Sequence, residues 1–428
     1  MEESLHSRWA SFLNLFQQYL LYAIVASLPL QLLAVIPGTS LTITKVFGLL
    51  LIAAVALECA LRGRIVLPRT HLESGWFFFL VACAISAAYS AHPEDAKIAL
   101  FTLLTYGVVF YAVTAVAVRQ HVQPWVPGVY VLSAAASALG AILASLGLFF
   151  EPSVDRLVPG SNIRRFAFGM PDANEQGMLY LFAFCFLLFL PQMWRSRRRC
   201  VFSITAVGFL SYALVLTMSR TAWACLAAMV FVRCIMTRRR WLLLSGAVVL
   251  AIVGVAVLAV MHPNAASLAQ RRVAETFKKG DLSIASRVAH YAAVSTQASG
   301  VGAVGYGLGE TLKNRVLFRN PLGEPISTTV HSVPLIMLLD SGWFGFFAYG
   351  WLCSCIAGLA FWAIRLASSP SKPLVTAYTL VLMNYGLVSL AMPFLYRSAL
   401  PVMLGCAVGV MLTSLPAVDS SACGRKGG

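Results

Sequence analysis

Apolar residues come along this chain in continuous runs and not in alternation. The runs centre near Ala23, Ala53, Ala82, Val108, Ala138, Phe184, Phe209, Ala227, Ile252, Leu352, Leu382 and Gly405. Each approaches the ~20 residues that a helix needs to cross the hydrocarbon of a bilayer. Lipid offers no partner to a backbone N–H or C=O, so such runs must bond internally as helices. The pattern lacks the period-two alternation of a membrane β-barrel. An all-α polytopic membrane protein of about twelve transmembrane helices is therefore predicted. One further apolar piece, His331–Leu339, is too short to cross alone and reads as a half-helix or re-entrant element.

Composition agrees. The chain has 428 residues, 59% hydrophobic and only 11% charged, more apolar surface than a soluble core absorbs. From Leu13 onward the N-terminal run reads as a retained first span and not as a cleaved signal. Ten cysteines are present, nearly all within or beside the runs and without a CxxC pair. They read as small apolar residues, so neither a disulfide framework nor a metal-thiolate site is expected.

Basic residues set the orientation. Alternate connections carry Arg62, Arg64 and Arg69; Arg119; the RSRRR of 195–199; the TRRR of 237–240; Arg365 and Lys372; and Arg425 and Lys426. Placed in the cytoplasm, these put both termini inside, which an even number of spans requires. The long polar stretch of roughly 262–330 then lies outside. It holds two amphipathic segments, SLAQRRVAETFKK (267–279) and SIASRVAHYAAVS (283–295), followed by the glycine-rich GVGAVGYGLGE (300–310). That segment reads as compact and turn-rich, near a ligand, and lacks the GK[ST] ending of a phosphate-binding P-loop. Three parts follow: 1–261 with nine spans, 262–341 as an outer loop carrying short site helices, and 342–428 with three spans and a cytoplasmic tail.

The outer face is poor in cations overall, yet Arg164, Arg165, Arg220, Arg287 and Arg397 sit there at helix ends. Arginine presents a permanently charged fork that fits phosphate oxygens. Snorkelling to lipid headgroups explains any one of them equally well. Arg220 is less easily explained so, because LVLTMSRTAWACLAAMV (214–230) leaves hardly a loop between two runs. Ser219 and Thr221 beside it can donate to the same anion. Asp172, followed three residues later by Glu175, has the spacing of a capping box opening the sixth span. Ser332 and Pro334 suit the cap and first turn of the helix after His331. The positive helix end disfavours imidazolium, so His331 there can accept a proton or orient a hydroxyl. His290, with Arg287 and Tyr291 as neighbours, is the competing histidine. No HExxH motif and no acid in the first outer connection, PGTSLT, suggests a metal.

In these residues the chain resembles the bacterial O-antigen ligases, of the superfamily shared with O-antigen polymerases and pilin oligosaccharyltransferases. The resemblance lies in the topology and in SRTAW (219–223), SR (286–287), GVGAVGYGLG and HSVPLIMLLDSGWFG (331–345), where Asp340 stands in place of the more usual Glu. It implies a GT-C-like membrane glycosyltransferase of the bacterial inner membrane with a periplasmic active site. O-antigen glycan would pass from undecaprenyl pyrophosphate to lipid A–core by an inverting displacement. The family's essential residues map onto Arg220, Arg287 and His331. Arg164, Arg165, Ser219, Thr221, Tyr291 and Arg397 are expected to bind substrate. No metal, other cofactor, nucleotide sugar or nucleic acid is implied, and the surroundings are membrane lipids.

Two neighbours in that superfamily fit less well. Polymerases often carry an outer arginine with a glycine eleven positions on, whereas Arg220 leads to Phe231 and Arg287 to Ala298. Pilin oligosaccharyltransferases usually carry an extra soluble tail. A flippase for an anionic lipid would need charges deep in several spans or broken helices in matching halves, and the spans read as almost free of charge.

Overall fold

Each predicted run centre that falls among the described residues lies in a helix. The computed structural model describes residues 2–34, 42–65, 67–119, 122–148, 156–157, 164–165, 168, 172–236, 282–313, 316–319, 325–328, 330, 332–390, 395, 397 and 399–415. The helices are α1 (Glu2–Ser27), α2 (Ile43–Arg62), α3 (Glu73–Ala88), α4 (Pro93–Ala117), α5 (Val126–Ser145), α6 (Ala173–Phe189), α7 (Arg197–Leu216), α8 (Arg220–Met236), α9 (Leu282–Ala298), the one-turn α10 (Glu310–Lys313), α11 (Val333–Leu366), α12 (Lys372–Ser389) and α13 (Ala399–Ser414). The run near Ile252 lies outside the described residues.

Among the described residues six helical segments are long and apolar enough to cross a membrane: Trp9–Gln31, Ile43–Arg62, Pro93–Ala117, Val126–Ser145, Arg197–Leu216 and Val333–Leu366. The apolar α3, α6 and α13 are shorter. The chain is thus a helical, multi-pass membrane protein. Two short antiparallel ladders that the apolar pattern did not announce accompany the helices. Arg156–Leu157 pairs with Arg164–Arg165, and Val316–Arg319 with Pro325–Thr328.

The sequence sets the helix ends locally. Thr42 accepts the Lys45 amide at the start of α2, and left-handed Gly63 closes its end. Asp172 caps α6 by accepting the Asn174 amide at 2.7 Å. Glu175 does not complete the expected box, since neither of its oxygens accepts a hydrogen bond among the described residues. It turns into the protein instead.

Helix α6 is the hub. From Met178 to Leu187 every side chain is at most 3% exposed, as expected of a helix apolar on all sides. It packs against α5, α7, α8 and α12. Helix α13 lies on α4 through small residues four apart. A Cβ on Gly405 would meet Val113 Cγ1 at 2.7 Å, and one on Gly409 would meet Ala117 Cβ at 2.6 Å. This is the close backbone approach by which helices associate in lipid.

Charge is not confined to the connections. Glu58, buried in α2, pairs with Arg62 at 2.7 Å and with Arg119, just past α4, at 3.0 Å. Gln17 of α1 donates to Glu58 at 2.9 Å and accepts from Arg119 at 2.7 Å. The network ties α1, α2 and α4 together at one end of the bundle. At the other end lie the starts of α6, α8 and α13.

Candidate functional site

The glycine-rich segment is built around a break in α11. At Gly342 the backbone turns to φ 66°, ψ −165°, which only glycine adopts without strain. The break makes 333–341 a short arm, the half-helix read in the sequence, ahead of the long remainder. It also frees backbone groups that an apolar site cannot leave unpaired. The glycine-rich segment satisfies them. Tyr306 N–H donates to Leu339 O at 2.8 Å and Gly307 N–H to Asp340 O at 3.0 Å, while Phe344 N–H donates to Ala303 O at 3.0 Å.

Asp340 locks this junction. Fully buried, it accepts the Gly309 amide at 3.1 Å and the Thr311 amide at 2.9 Å, so it caps α10. Its own carbonyl also accepts the Ser86 hydroxyl of α3 at 2.6 Å. On the opposite side of α10, Glu310 meets His92 Nδ1 at 2.6 Å and the Ser90 hydroxyl at 3.3 Å. The segment thus fastens α11 to the α3–α4 connection. Asp340 serves there as a structural acceptor.

The turn between α7 and α8 carries Arg220. Only Thr217, Met218 and Ser219 separate the helices. Met218 is left-handed at φ 51°, a conformation that costs a β-carbon residue ~1–3 kcal/mol and tends to persist where surrounding structure imposes it. The fastenings are visible. The Leu214 carbonyl accepts both the Thr217 hydroxyl at 2.7 Å and Trp223 Nε1–H at 3.1 Å. The Ser219 amide donates to Thr217 Oγ1 at 3.3 Å. Ser219 is buried, while Arg220 and Thr221 are half-buried. Arg220 opens α8, where the positive end of the helix dipole favours an anion.

This turn docks on the start of α6. A Cβ on Gly177 would meet Ala222 Cβ at 3.1 Å and Ser219 Cβ at 3.6 Å, so a side chain there would push the turn away. Two residues earlier, buried Glu175 faces Arg397 Nε at 3.2 Å. Beyond that pair, the Tyr291 hydroxyl of α9 donates to the Leu390 carbonyl after α12 at 3.4 Å.

The sequence-expected residues therefore divide. Ser219, on the turn that carries Arg220 and Thr221, packs at Gly177 of α6, Arg397 pairs with Glu175 of the same helix, and Tyr291 reaches the end of α12. Arg287 lies on α9, but its side chain is outside the described residues. Arg164 and Arg165 form the second strand of a ladder with Arg156–Leu157; their side chains too lie outside the description. His331 lies outside it altogether, between buried Val330 and buried Ser332, which occupies the N-cap position of α11. The competing His290 is buried against the Tyr291 ring, with centroids 5.8 Å apart.

Sequence reading missed Glu175 as anything but a cap, Asp340 as an anchor, and the Glu310–His92 pair. Glu58 had a signal, a lone acid in an apolar run four residues before Arg62. Among the described residues no three His, Cys, Asp or Glu side chains converge as a metal site.

The model of one protein family, O-antigen ligase, matches residues 205–350. The match runs from within α7 through the Arg220 turn and the glycine-rich segment into α11. It contains the motifs on which the resemblance rests. No curated protein matches the chain.

Proposed function

The chain carries the O-antigen ligase family's domain over residues 205–350, and from that premise we propose that it ligates O-antigen to lipid A–core at the periplasmic face of the inner membrane. The donor is O-antigen glycan on undecaprenyl pyrophosphate. Membership of this family supports a membrane glycosyltransferase with a lipid-linked donor and a lipid acceptor.

The observation that carries the reading is Arg220 opening α8 directly after a strained three-residue turn. Guanidinium and helix N-terminus act there on the same anion.

The displacement proceeds in one step. An acceptor hydroxyl oxygen attacks the anomeric carbon joined to pyrophosphate and forms the new glycosidic bond. The anomeric carbon–oxygen bond to phosphate breaks, and its electron pair leaves with the pyrophosphate. Arg220 and Arg287 meet that growing charge, the kind of electrostatic stabilisation that usually dominates such sites. Arg397 joins them in holding the donor, with Ser219 and Thr221 as hydroxyl donors. Arg164, Arg165 and Tyr291 line the approach. His331 takes the proton of the acceptor hydroxyl or orients that hydroxyl, an effect of order 10²–10⁴-fold for a general base. No metal is required, because fixed guanidinium groups supply the positive charge. The 262–341 segment forms the periplasmic cover of the site, and both termini are cytoplasmic.

Deleting the gene tests the reaction. Loss of smooth lipopolysaccharide with accumulation of polymer on undecaprenyl pyrophosphate is the expected result. Accumulation of single repeat units would instead mark a polymerase.

A further inference from the structure

Glu175 is 1% exposed. An ionised carboxylate taken out of water normally accepts hydrogen bonds on both oxygens as well as facing a cation. Neither Glu175 oxygen accepts one among the described residues. What the carboxylate has is Arg397, with Nε 3.2 Å from Oε1. Capping does not account for this residue, because Asp172 caps the helix. Packing does not account for it either, since an apolar side chain of similar volume would fill the space at lower desolvation cost.

The pair is lopsided. Arg397 has 41% of its side chain exposed, against 1% for its partner. It is turned to Glu175 through Nε, so the edge formed by the two terminal nitrogens is not consumed by this contact. That edge is the one that matches two phosphate oxygens at once. An arginine at the end of a helix otherwise sweeps many rotamers, and fixing it beforehand removes an ordering cost from binding. Gly177, one half-turn along α6 and so on the opposite face of the helix, packs against Ser219 and Ala222 of the segment that carries Arg220. One short stretch of α6 therefore locates two arginines from distant parts of the chain.

We infer that Glu175 is a positioning residue that anchors Arg397 through Nε and aims its terminal nitrogens at a phosphate group of the lipid-linked substrate. This rests on the reading of the site as a pyrophosphate-binding site. Two effects of Glu175 oppose one another. Its negative charge weakens anion binding through partial neutralisation of Arg397, and its anchoring strengthens it. In this arrangement anchoring outweighs neutralisation, which gives the inference a definite sign.

The test uses full-length protein in nanodiscs, with binding of undecaprenyl pyrophosphate measured directly and transfer kinetics measured separately. Glu175→Gln keeps the shape and removes the charge. It should weaken lipid-pyrophosphate binding and raise donor KM about tenfold, the loss of one buried ion-pair anchor, with kcat within about twofold of wild type. Arg397→Lys, on a partly exposed residue with little bearing on folding, should show the same loss. The double variant should be no worse than Arg397→Lys alone, as required of two residues acting through one contact. Unchanged or tighter binding in Glu175→Gln would overturn the inference while leaving the donor assignment intact. So would losses that simply add in the double variant. Wild-type protein that fails to bind undecaprenyl pyrophosphate at all would overturn the donor assignment and this inference together.

Discussion

Gly305 and Gly342 meet back to back: a Cβ on Gly305 would stand 2.5 Å from the amide nitrogen of Gly342. Both have left-handed φ, 75° and 66°, so the glycine-rich segment and the broken helix interlock through two positions without side chains.

Alanine at either position should therefore loosen the junction. The left-handed backbone alone costs about 1–2 kcal/mol, and the overlap with backbone atoms adds to it. Gly305→Ala and Gly342→Ala should each lower the thermal unfolding midpoint in detergent and cut membrane abundance. Gly302→Ala, where a Cβ would meet nothing within 4 Å, should be close to wild type. Equal melting of all three would show that the junction does not bear on stability.

Asp340 makes a second prediction at the same place. Its carboxylate takes two buried amides, from Gly309 and Thr311. Leaving each unpaired costs about 1–3 kcal/mol. Asp340→Ala should be severely destabilised, and Asp340→Asn, which keeps one acceptor oxygen, intermediate. A folded, fully stable Asp340→Ala with specific loss of transfer would assign Asp340 to the chemistry and not to the frame.

Arg220 should tolerate neither loss nor replacement. Arg220→Ala should abolish most transfer while membrane abundance persists. Arg220→Lys should retain a small part, because charge survives but the two-pronged donor does not. Wild-type turnover by purified Arg220→Ala with native donor would remove this residue from the clamp.

The two histidines separate by burial. His290 is enclosed against Tyr291, a setting suited to packing α9 and poorly placed for a large glycan acceptor. His290→Ala should lose stability yet keep measurable turnover, whereas His331→Ala should lose turnover by orders of magnitude and still bind donor. The opposite ranking, in single-turnover assays at saturating donor, would transfer the acceptor role to His290.

The helices were legible in the sequence because lipid makes one demand of every span, internal hydrogen bonding. A half-helix or re-entrant element was legible too, since the apolar piece His331–Leu339 is too short to cross; the break at Gly342 that ends the arm at 341 was not. Contacts between distant positions were not. Asp172 and Glu175 have capping-box spacing whether or not the glutamate reaches back, and only the fold reveals that Arg397, from the far end of the chain, draws it inward. Asp340 looked like part of a motif, but its partners Gly309 and Thr311 lie about thirty residues away and nothing local announces them. Arg220 was singled out for its lack of slack, and the three-residue turn with left-handed Met218 shows that tightness as geometry.

The most direct test of the central claim, an arginine-clamped and metal-independent ligation, is transfer by purified wild-type protein in EDTA. O-antigen on undecaprenyl pyrophosphate and lipid A–core are supplied without added cation, and the glycosylated lipid A–core is quantified. Guanidinium groups that meet the leaving pyrophosphate need no replacement, so the rate should match that in buffer containing Mg²⁺. A dead reaction restored by Mg²⁺ or Mn²⁺ would contradict the claim and point to an acid-lined site, with Glu94 and Asp95 the first to examine.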